Sequence, residues 1–309
     1  MASFPPADRP DLGRVFAHLD AMVDQIAAAA DPLAALRSAL DDYGRGNAGE
    51  GMRACRFLPA RVGGLAGEWS VPPHADAVRR LLYLHGGGWS GGSAAGYRPL
   101  VAEIALLTGR PVLAVDYRLA PEHPYPAALD DALAALDWIE AHGPEAAGAA
   151  AEVGLAGDSA GGNLATAAVA ERIAQGRPTP ARLLLISALL DGRDPARRVE
   201  GVRDRVVTAE VLAGAFEAYR AGALDPADRR LSPAAADEAL LARFPPTLIQ
   251  VSAIEHLRDQ SLALAARLWR GGVPAKLSVW PAMPHVWHFF LQDLPEARQA
   301  LREIADFLA

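Results

Sequence analysis

The chain has 309 residues, of which 51% are hydrophobic and 22% charged, and its formal net charge is −7. These proportions are typical of a globular protein with one large core, and they exclude an intrinsically disordered chain. Because the sequence pI is near 5.6, nothing in the overall charge favours binding to nucleic acid or to an anionic membrane surface.

The first segment of the chain, residues 1–55, has helical apolar spacing and no stretch typical of a strand. Its start lacks the cationic head and apolar run of a secretory signal, and the longest apolar stretch near the middle, residues 183–190, is too short for a membrane helix. Cys55 is the only cysteine, so an internal disulfide is excluded, and we interpret it as structural or incidental. We expect a cytoplasmic protein without stable membrane insertion.

From Arg79 onward, short apolar runs alternate with longer helical patterns. This alternation predicts a parallel sheet with helices on both faces, and burial of both faces explains why the apolar runs are continuous. The runs of strand length are RRLLYLHG (79–86), PVLAVDY (111–117), AEVGLAG (151–157), ARLLLIS (181–187), PTLIQVSA (246–253) and AKLSVWP (275–281).

Residues 190–240 interrupt this alternation with charges, prolines and one clear helix at 208–221. We interpret this insertion and the N-terminal segment as a helical cap over the carboxyl edge of the sheet; peripheral helices without a role in the site are the alternative. The predicted division is therefore a cap segment at 1–55, core at 56–189, a cap insertion at 190–240, and core again at 241–309.

The motif GDSAGG at residues 157–162 lies between a predicted strand and a predicted helix. A G-x-S-x-G pattern alone is weak evidence, and a tight turn that happens to hold a serine would also explain it. The strand–turn–helix setting, however, is the one that a nucleophile elbow requires, with glycines on both sides of a sharp turn. We predict Ser159 as the nucleophile, at a helix N-terminus that favours a developing oxyanion.

A serine nucleophile needs a base and an acid that orients the base. His285 follows the last predicted strand and is the predicted base, with His288 as the alternative. Glu255 directly follows the preceding strand and is the predicted acid. Asp259 is the alternative, but it falls in the first turn of a helix, where a carboxylate interacts favourably with the helix dipole without any catalytic role. The order serine, acid, histidine along the chain is one of the orders known for such triads.

The motif HGGGW at residues 85–89 follows the first predicted strand after Arg79. Consecutive glycines let backbone N–H groups approach a substrate oxyanion closely. A merely flexible loop is the alternative, but it would not explain why the motif occurs together with a serine, an acid and a histidine in this order. His85 itself is interpreted as a structural hydrogen-bonding residue.

Together, HGGGW, DYRLAPEHPYPAALDD (116–131), GDSAGGNLA and PHVWHFF resemble the hormone-sensitive-lipase-like branch of the α/β-hydrolases, from about residue 81 to the C-terminus. The resemblance implies an α/β fold with a mostly parallel eight-stranded sheet, a helical cap and hydrolysis of carboxylic esters. It also implies Ser159 as nucleophile and His285 as base.

The resemblance further implies an oxyanion hole made by Gly86, Gly87, Gly88 and Ala160. In one place the sequence departs from the family, which carries DPLRDE where this chain has EHLRDQ. Aligned on LRD, the catalytic aspartate of the family falls on Glu255, which is an accepted acid in such triads.

Five residues near the motif loops or in the predicted cap are candidates to line the substrate pocket: Trp89, Asp158, Phe216, Tyr219 and Trp287. The aromatic ones are equally compatible with ordinary core. We expect short-to-medium acyl chains, because the sequence has no long apolar surface or interfacial helix.

Two other functions use the same fold: an amidase or formamidase with the same triad, and a non-catalytic receptor for a small ligand. The predicted partner is a small ester. No cofactor, metal or nucleic acid is predicted, since the sequence has neither a phosphate loop nor metal-ligand spacing. The resemblance also makes a homodimer possible.

Overall fold

The computed structural model of the protein describes residues 8–43, 48–195, 199–204 and 206–309. Strands form at each of the six predicted places and also at two earlier places between residues 56 and 71. The strands are β1 (Arg56–Val62), β2 (Leu65–Val71), β3 (Arg79–Leu84), β4 (Val112–Val115), β5 (Glu152–Asp158), β6 (Arg182–Ile186), β7 (Thr247–Ser252) and β8 (Ala275–Trp280).

The helices fill the intervals between these strands and the two predicted cap segments. Short 3-10 turns occur at Pro233–Ala235 and Trp287–Phe289. The α-helices are α1 (Pro10–Ala28), α2 (Pro32–Asp42), α3 (Gly51–Ala54), α4 (Ala94–Thr108), α5 (Ala127–Ala141), α6 (Ser159–Ala174), α7 (Ala209–Arg220), α8 (Glu238–Leu241), α9 (Arg258–Arg270) and α10 (Pro295–Leu308).

All eight strands form one sheet in the order β1-β2-β4-β3-β5-β6-β7-β8. The pairs from β4 to β8 are parallel, and β2 is antiparallel to both β1 and β4. This arrangement confirms the predicted mostly parallel α/β sheet. The strand pattern alone did not predict the β1–β2 hairpin, because β1 is a partly exposed edge strand that contains Pro59, a residue that favours edges.

Local sequence explains where several helices begin and end. Ser93 accepts a hydrogen bond from the Gly96 amide at the start of α4, and Gly109 ends the helix in the left-handed conformation. Thr208 caps α7 in the same way, by accepting from the Val211 amide. Apolar packing places α4 against the sheet, and α7 lies in the predicted insertion.

Two apolar layers cover the two faces of the sheet. One joins α5 and α6 to the sheet and also includes residues of α7 and α9. The other joins α1, α4 and α10 to the opposite face, where α10 buries one stripe of side chains with helical spacing: Ala297, Ala300, Leu301, Ile304 and Leu308. The core thus fixes the strands, and the carboxyl ends of β5, β7 and β8 meet at one edge.

The two predicted cap segments each include residues outside the described ones, namely 1–7 and 44–47 in the first and 196–198 and 205 in the second. The division of the chain into cap and core stays a prediction. Among the described residues, no helix combines the length and the apolar character that crossing a membrane would take. The cytoplasmic location and the homodimer stay predictions.

Cys55 is buried at the start of β1, where its thiol lies 3.5 Å from the Ala102 carbonyl oxygen. Burial and the nearby Glu103 raise the pKa of the thiol to about 11. A thiol with so high a pKa holds little thiolate, so Cys55 lacks the character of a reactive cysteine.

Candidate active site

Ser159 lies in a sharp turn between β5 and α6, with a positive φ of 50°. A Cβ atom on Gly157 would come within 2.4 Å of the Gly161 carbonyl oxygen, and one on Gly161 within 2.0 Å of the Leu84 carbonyl oxygen. Any side chain at these two glycines would therefore collide with backbone. The turn holds a non-glycine residue in a strained conformation, which is the geometry of a nucleophile elbow.

His285 and Glu255 are in contact, although 30 positions separate them in the sequence. The imidazole Nδ1 lies 2.6 Å from Glu255 Oε1. Glu255 is completely buried, and its other oxygen accepts hydrogen bonds from Ser187 Oγ at 3.0 Å and from the Ser252 amide at 2.6 Å. The carboxylate is thus fixed in place, and it orients the ring with Nε2 left free of the acid.

The electrostatic surroundings of His285 favour its protonated form. Burial lowers the pKa of His285, but the hydrogen bond to Glu255 and the charges of Glu255, Asp204 and Asp158 together outweigh burial and raise it above the ordinary 6.5. The imidazole in this environment holds a proton more readily than an isolated histidine side chain does.

The alternative base and the alternative acid are not in such contact. His288 is fully buried with its Nε2 at 2.8 Å from Gln250 Oε1, and burial together with the charge of His285 lowers its pKa to about 3. Asp259 pairs with Arg258 at 2.8 Å on the first turn of α9. The structure therefore brings together Glu255 and His285, as the sequence predicted, and neither alternative.

The glycine-rich loop, residues 85–92, approaches Ser159 from the end of β3. Gly87 and Gly88 have positive φ values of 113° and 62°, and both line the same cavity as Ser159 and Ala160. Ala160 is the second residue of α6, and the N-cap residue Asp158 makes no side-chain capping hydrogen bond. The Ala160 amide therefore has no partner within the helix. Gly87, Gly88 and Ala160 thus line the cavity beside Ser159, and their role as oxyanion donors stays a prediction.

Gly86 does not fit its predicted role as an oxyanion donor. Its amide lies 3.0 Å from both Asp158 Oδ1 and the Tyr97 hydroxyl oxygen, so it already donates inside the protein, and Gly86 does not line the cavity. A Cβ on Gly86 would lie 2.3 Å from Asp158 Oδ2. This glycine is required because the loop passes close to Asp158.

Asp158 lines the cavity as predicted, but its carboxylate faces the protein interior. It accepts hydrogen bonds from the hydroxyls of Tyr83 at 3.0 Å and Tyr97 at 2.9 Å in addition to the Gly86 amide. Burial raises its pKa from 3.8 to about 6 against the opposing effect of these donors and of His285. It links the elbow to the glycine-rich loop.

A cavity of about 510 Å³ opens over Ser159 and His285. Nearly half of its lining residues come from α1, α2 and α7 and almost all of these are apolar, so both predicted cap segments contribute to the wall. The lining residues from these helices are Met22, Val23, Ile26, Ala27, Pro32, Leu33, Leu36, Leu40, Val211, Leu212, Gly214, Ala215 and Ala218.

Of the predicted aromatic lining residues, only Trp89 faces the cavity. Phe216 and Tyr219 are completely buried behind it, and the Tyr219 ring stacks on Trp89 at 4.5 Å. Trp287 is also completely buried and packs against Trp280. The prediction that Phe216, Tyr219 and Trp287 line the pocket is wrong, because each fills the core beneath the site.

Sequence reasoning missed two residues that contact or adjoin the His285–Glu255 pair. Ser187 follows β6 and donates to Glu255, and Asp204 lies in the segment before α7. One potential ligand atom from each of Asp204, Glu255 and His285 lies within 4.8 Å of the other two. No local motif marks Ser187 or Asp204, because only the folding of distant segments brings them to the site.

Comparisons with known proteins agree with this geometry. A family model described as the alpha/beta hydrolase fold matches residues 81–289. The chain is similar to an acetyl-hydrolase of Streptomyces hygroscopicus, with 38% identity over 80% of each chain. It is also similar to the carboxylesterase NlhH of Mycobacterium tuberculosis, with 34% identity over 79% of this chain and 75% of that one.

Among solved structures, the chain is similar to an esterase from the bacterial hormone-sensitive lipase family. The TM-score is 0.82 at 34% sequence identity, and the match covers 97% of both chains. The similarity thus extends beyond the core motifs to nearly the whole chain.

Proposed function

The chain belongs to the α/β-hydrolase family and is a carboxylesterase of its hormone-sensitive-lipase-like branch, and we propose that Ser159, His285 and Glu255 are its catalytic triad. The observation that carries this proposal is the 2.6 Å contact between His285 Nδ1 and the buried Glu255, at a cavity that Ser159 also lines.

The reaction is acyl transfer to water in two steps. His285 Nε2 takes the proton from Ser159 Oγ as that oxygen attacks the ester carbonyl, and the imidazolium then gives the proton to the departing alcohol. Water, activated by the same imidazole, releases the acid from the acyl-enzyme. Glu255 holds the ring in one orientation and stabilises its positive charge.

The oxyanion of the tetrahedral intermediate is assigned to the amides of Gly87, Gly88 and Ala160. Their preorganised N–H groups would stabilise the negative charge without further movement of the backbone, which is the largest single contribution in many acyl-transfer enzymes. This assignment is supported by two observations on Gly87 and Gly88: both line the cavity, and both have the positive φ values that glycine tolerates.

The substrates that we propose are esters with short-to-medium acyl chains. The cavity of about 510 Å³ lies within the range of sites for small ligands, and its apolar wall suits an alkyl or aryl group better than a charged one. The name of the acetyl-hydrolase relative, which is 38% identical, agrees with a short acyl group.

Ser159→Ala tests the nucleophile. We expect the rate of ester hydrolysis to fall by about 10⁶, as in other serine hydrolases. A fluorophosphonate probe should label the natural protein on the peptide that contains Ser159 and leave Ser159→Ala unlabelled. A variant that keeps more than a few per cent of the activity would exclude this serine as the nucleophile.

The pH profile and a substrate panel test the rest. Because the pKa of His285 is raised above 6.5, kcat/KM should decline as the pH falls through a midpoint above that value. In a series of p-nitrophenyl esters, we expect the optimum at or below about ten acyl carbons. Matched amides in the same panel distinguish an esterase from an amidase.

A further inference from the structure

A second buried carboxylate lies beside the Glu255–His285 pair. Asp204 is 8% exposed. One of its carboxylate oxygens lies within 4.8 Å of a carboxylate oxygen of Glu255 and of a ring nitrogen of His285. The three side chains come from three different segments, which follow β6, β7 and β8. The imidazole therefore has a carboxylate in contact and a second one close by.

The two oxygens of Asp204 have different surroundings. Oδ1 accepts hydrogen bonds from the amides of Val206 and Val207, both at 3.0 Å, which fixes the turn before α7. Oδ2 is buried and has no hydrogen-bond partner among the described residues. A buried carboxylate oxygen without a donor is unfavourable unless a positive charge is near.

Protonated His285 can supply that positive charge. Burial and the charge of Glu255 raise the pKa of Asp204 to about 6, while His285 and the two amides act in the opposite direction. Above that pH the Asp204 carboxylate is charged. Whenever the imidazolium of His285 forms, its positive charge offsets part of the cost of burying this carboxylate.

A metal ion held by the same three residues fits less well. Glu255 Oε1 already faces His285 Nδ1 at 2.6 Å, and Oε2 accepts two hydrogen bonds, from Ser187 and Ser252. A cation would have to displace these donors from a fully buried carboxylate. The arrangement is that of an acid–imidazole pair with an additional negative charge.

We propose that Asp204 is a positioning residue that stabilises the protonated form of His285 together with Glu255. This proposal rests on the proposed triad. When the proton moves from Ser159 Oγ to His285 Nε2, the imidazolium forms between charges that are already in place, and Asp204 itself neither gains nor loses a proton.

Other groups near His285 set how large the effect is. The Tyr43 hydroxyl lies 3.4 Å from the His285 carbonyl oxygen, and burial, followed by the charges of Asp204, Asp158 and Glu255, raises its pKa, so it stays neutral. Asp158 also raises the pKa of His285 from the elbow. Removing Asp204 thus leaves two negative groups, Glu255 and Asp158, and the expected change is partial.

Asp204→Asn is the test, because the amide oxygen can still accept from Val206 and Val207 while the charge is lost. Asp225→Asn is the matched control: Asp225 is exposed, lies in the same insertion and accepts from an amide two residues on, at Ala227. The rate of p-nitrophenyl butyrate hydrolysis is followed across pH at the isosbestic wavelength of p-nitrophenol.

We expect Asp204→Asn to move the acidic midpoint of kcat/KM to lower pH by about one unit, as removal of a charge at this distance should. The plateau should fall about threefold to tenfold, and Asp225→Asn should change neither. The midpoint does not depend on how much of the enzyme is folded. An unchanged midpoint in Asp204→Asn, with or without loss of the plateau, would overturn the proposal.

A double variant gives a second, independent readout. In Glu255→Gln the imidazole loses its contacting charge, so Asp204 becomes the remaining acid with the larger effect on the pKa of His285. The additional change Asp204→Asn should then cost more activity than it does in the natural protein. Equal losses in the two backgrounds would count against the proposal, whereas activity that persists in Ser159→Ala or His285→Ala would instead overturn the proposed triad.

Discussion

Asp158→Asn should make the protein more stable at pH 8, although it removes a residue that makes three hydrogen bonds in the site. Burial raises the pKa of Asp158 from 3.8 to about 6. A group whose pKa is raised on folding contributes most to stability below its unfolded pKa, and that contribution is lost as the pH rises through its folded pKa. Keeping the ionised carboxylate buried at pH 8 therefore costs about 3 kcal/mol.

The substitution also has an unfavourable part. An asparagine can still accept from Tyr83 and Gly86 through its amide oxygen, but its NH₂ group replaces the oxygen that accepts from Tyr97. The Tyr97 hydroxyl proton then loses its acceptor, at a cost of about 1 kcal/mol. The net gain in the free energy of unfolding is about 2 kcal/mol at pH 8, and it shrinks to about 0.5 kcal/mol at pH 5, where the natural carboxyl is mostly protonated in the folded state.

Guanidinium unfolding followed by tryptophan fluorescence measures this difference at both pH values. Asp131→Asn is the contrasting control, since Asp131 is also buried but forms a bidentate pair with Arg118, and its loss should destabilise the protein. A lower stability of Asp158→Asn at pH 8, or a gain that does not shrink at pH 5, would refute the reasoning that burial of the charge dominates.

Three further changes test the geometry of the site. Gly161→Ala places a Cβ 2.0 Å from a carbonyl oxygen at the end of β3, so activity per folded molecule should fall more than about a hundredfold, whereas Gly64→Ala, which meets no atom within 4 Å, should leave it unchanged. Ser187→Ala removes a donor to Glu255, and kcat should fall about tenfold with KM little changed. Arg37→Ala removes the hydrogen bond that Arg37 Nε, on α2, donates to the Ser90 carbonyl oxygen at 2.8 Å. Denaturant titration should show that the free energy of unfolding falls by about 2 kcal/mol.

The sequence predicted those parts of the molecule in which a local pattern expresses a physical demand. The sharp turn at Ser159 was predictable because such a turn excludes side chains at the neighbouring glycines, and the structure places Gly157 and Gly161 against backbone atoms. The contact between Glu255 and His285 was predictable from their positions after the last two strands, since parallel strands bring their carboxyl ends to one edge of the sheet.

Features set by long-range packing were not predictable in this way. Phe216, Tyr219 and Trp287 are close in sequence to functional segments, yet they fill the core. An apolar side chain in such a segment can pack either in the pocket wall or in the core, and the local sequence does not distinguish the two. Gly86 belongs to the HGGGW motif, but its amide donates to Asp158, a residue 72 positions away. The motif indicates that the backbone at Gly86 passes close to another group, but it does not indicate that this group is Asp158.

The buried acids around His285 also come from distant parts of the sequence. Glu255, Asp204 and Asp158 each raise the pKa of His285, although they follow or end three different strands. At Asp158 and Asp204, burial opposes ionisation, so their charge lowers the stability of the resting protein. The same charge stabilises the imidazolium whenever it forms. Neutralising either aspartate should therefore stabilise the fold and slow the reaction, while neutralising Glu255 should slow the reaction far more, because it also releases the orientation of the ring.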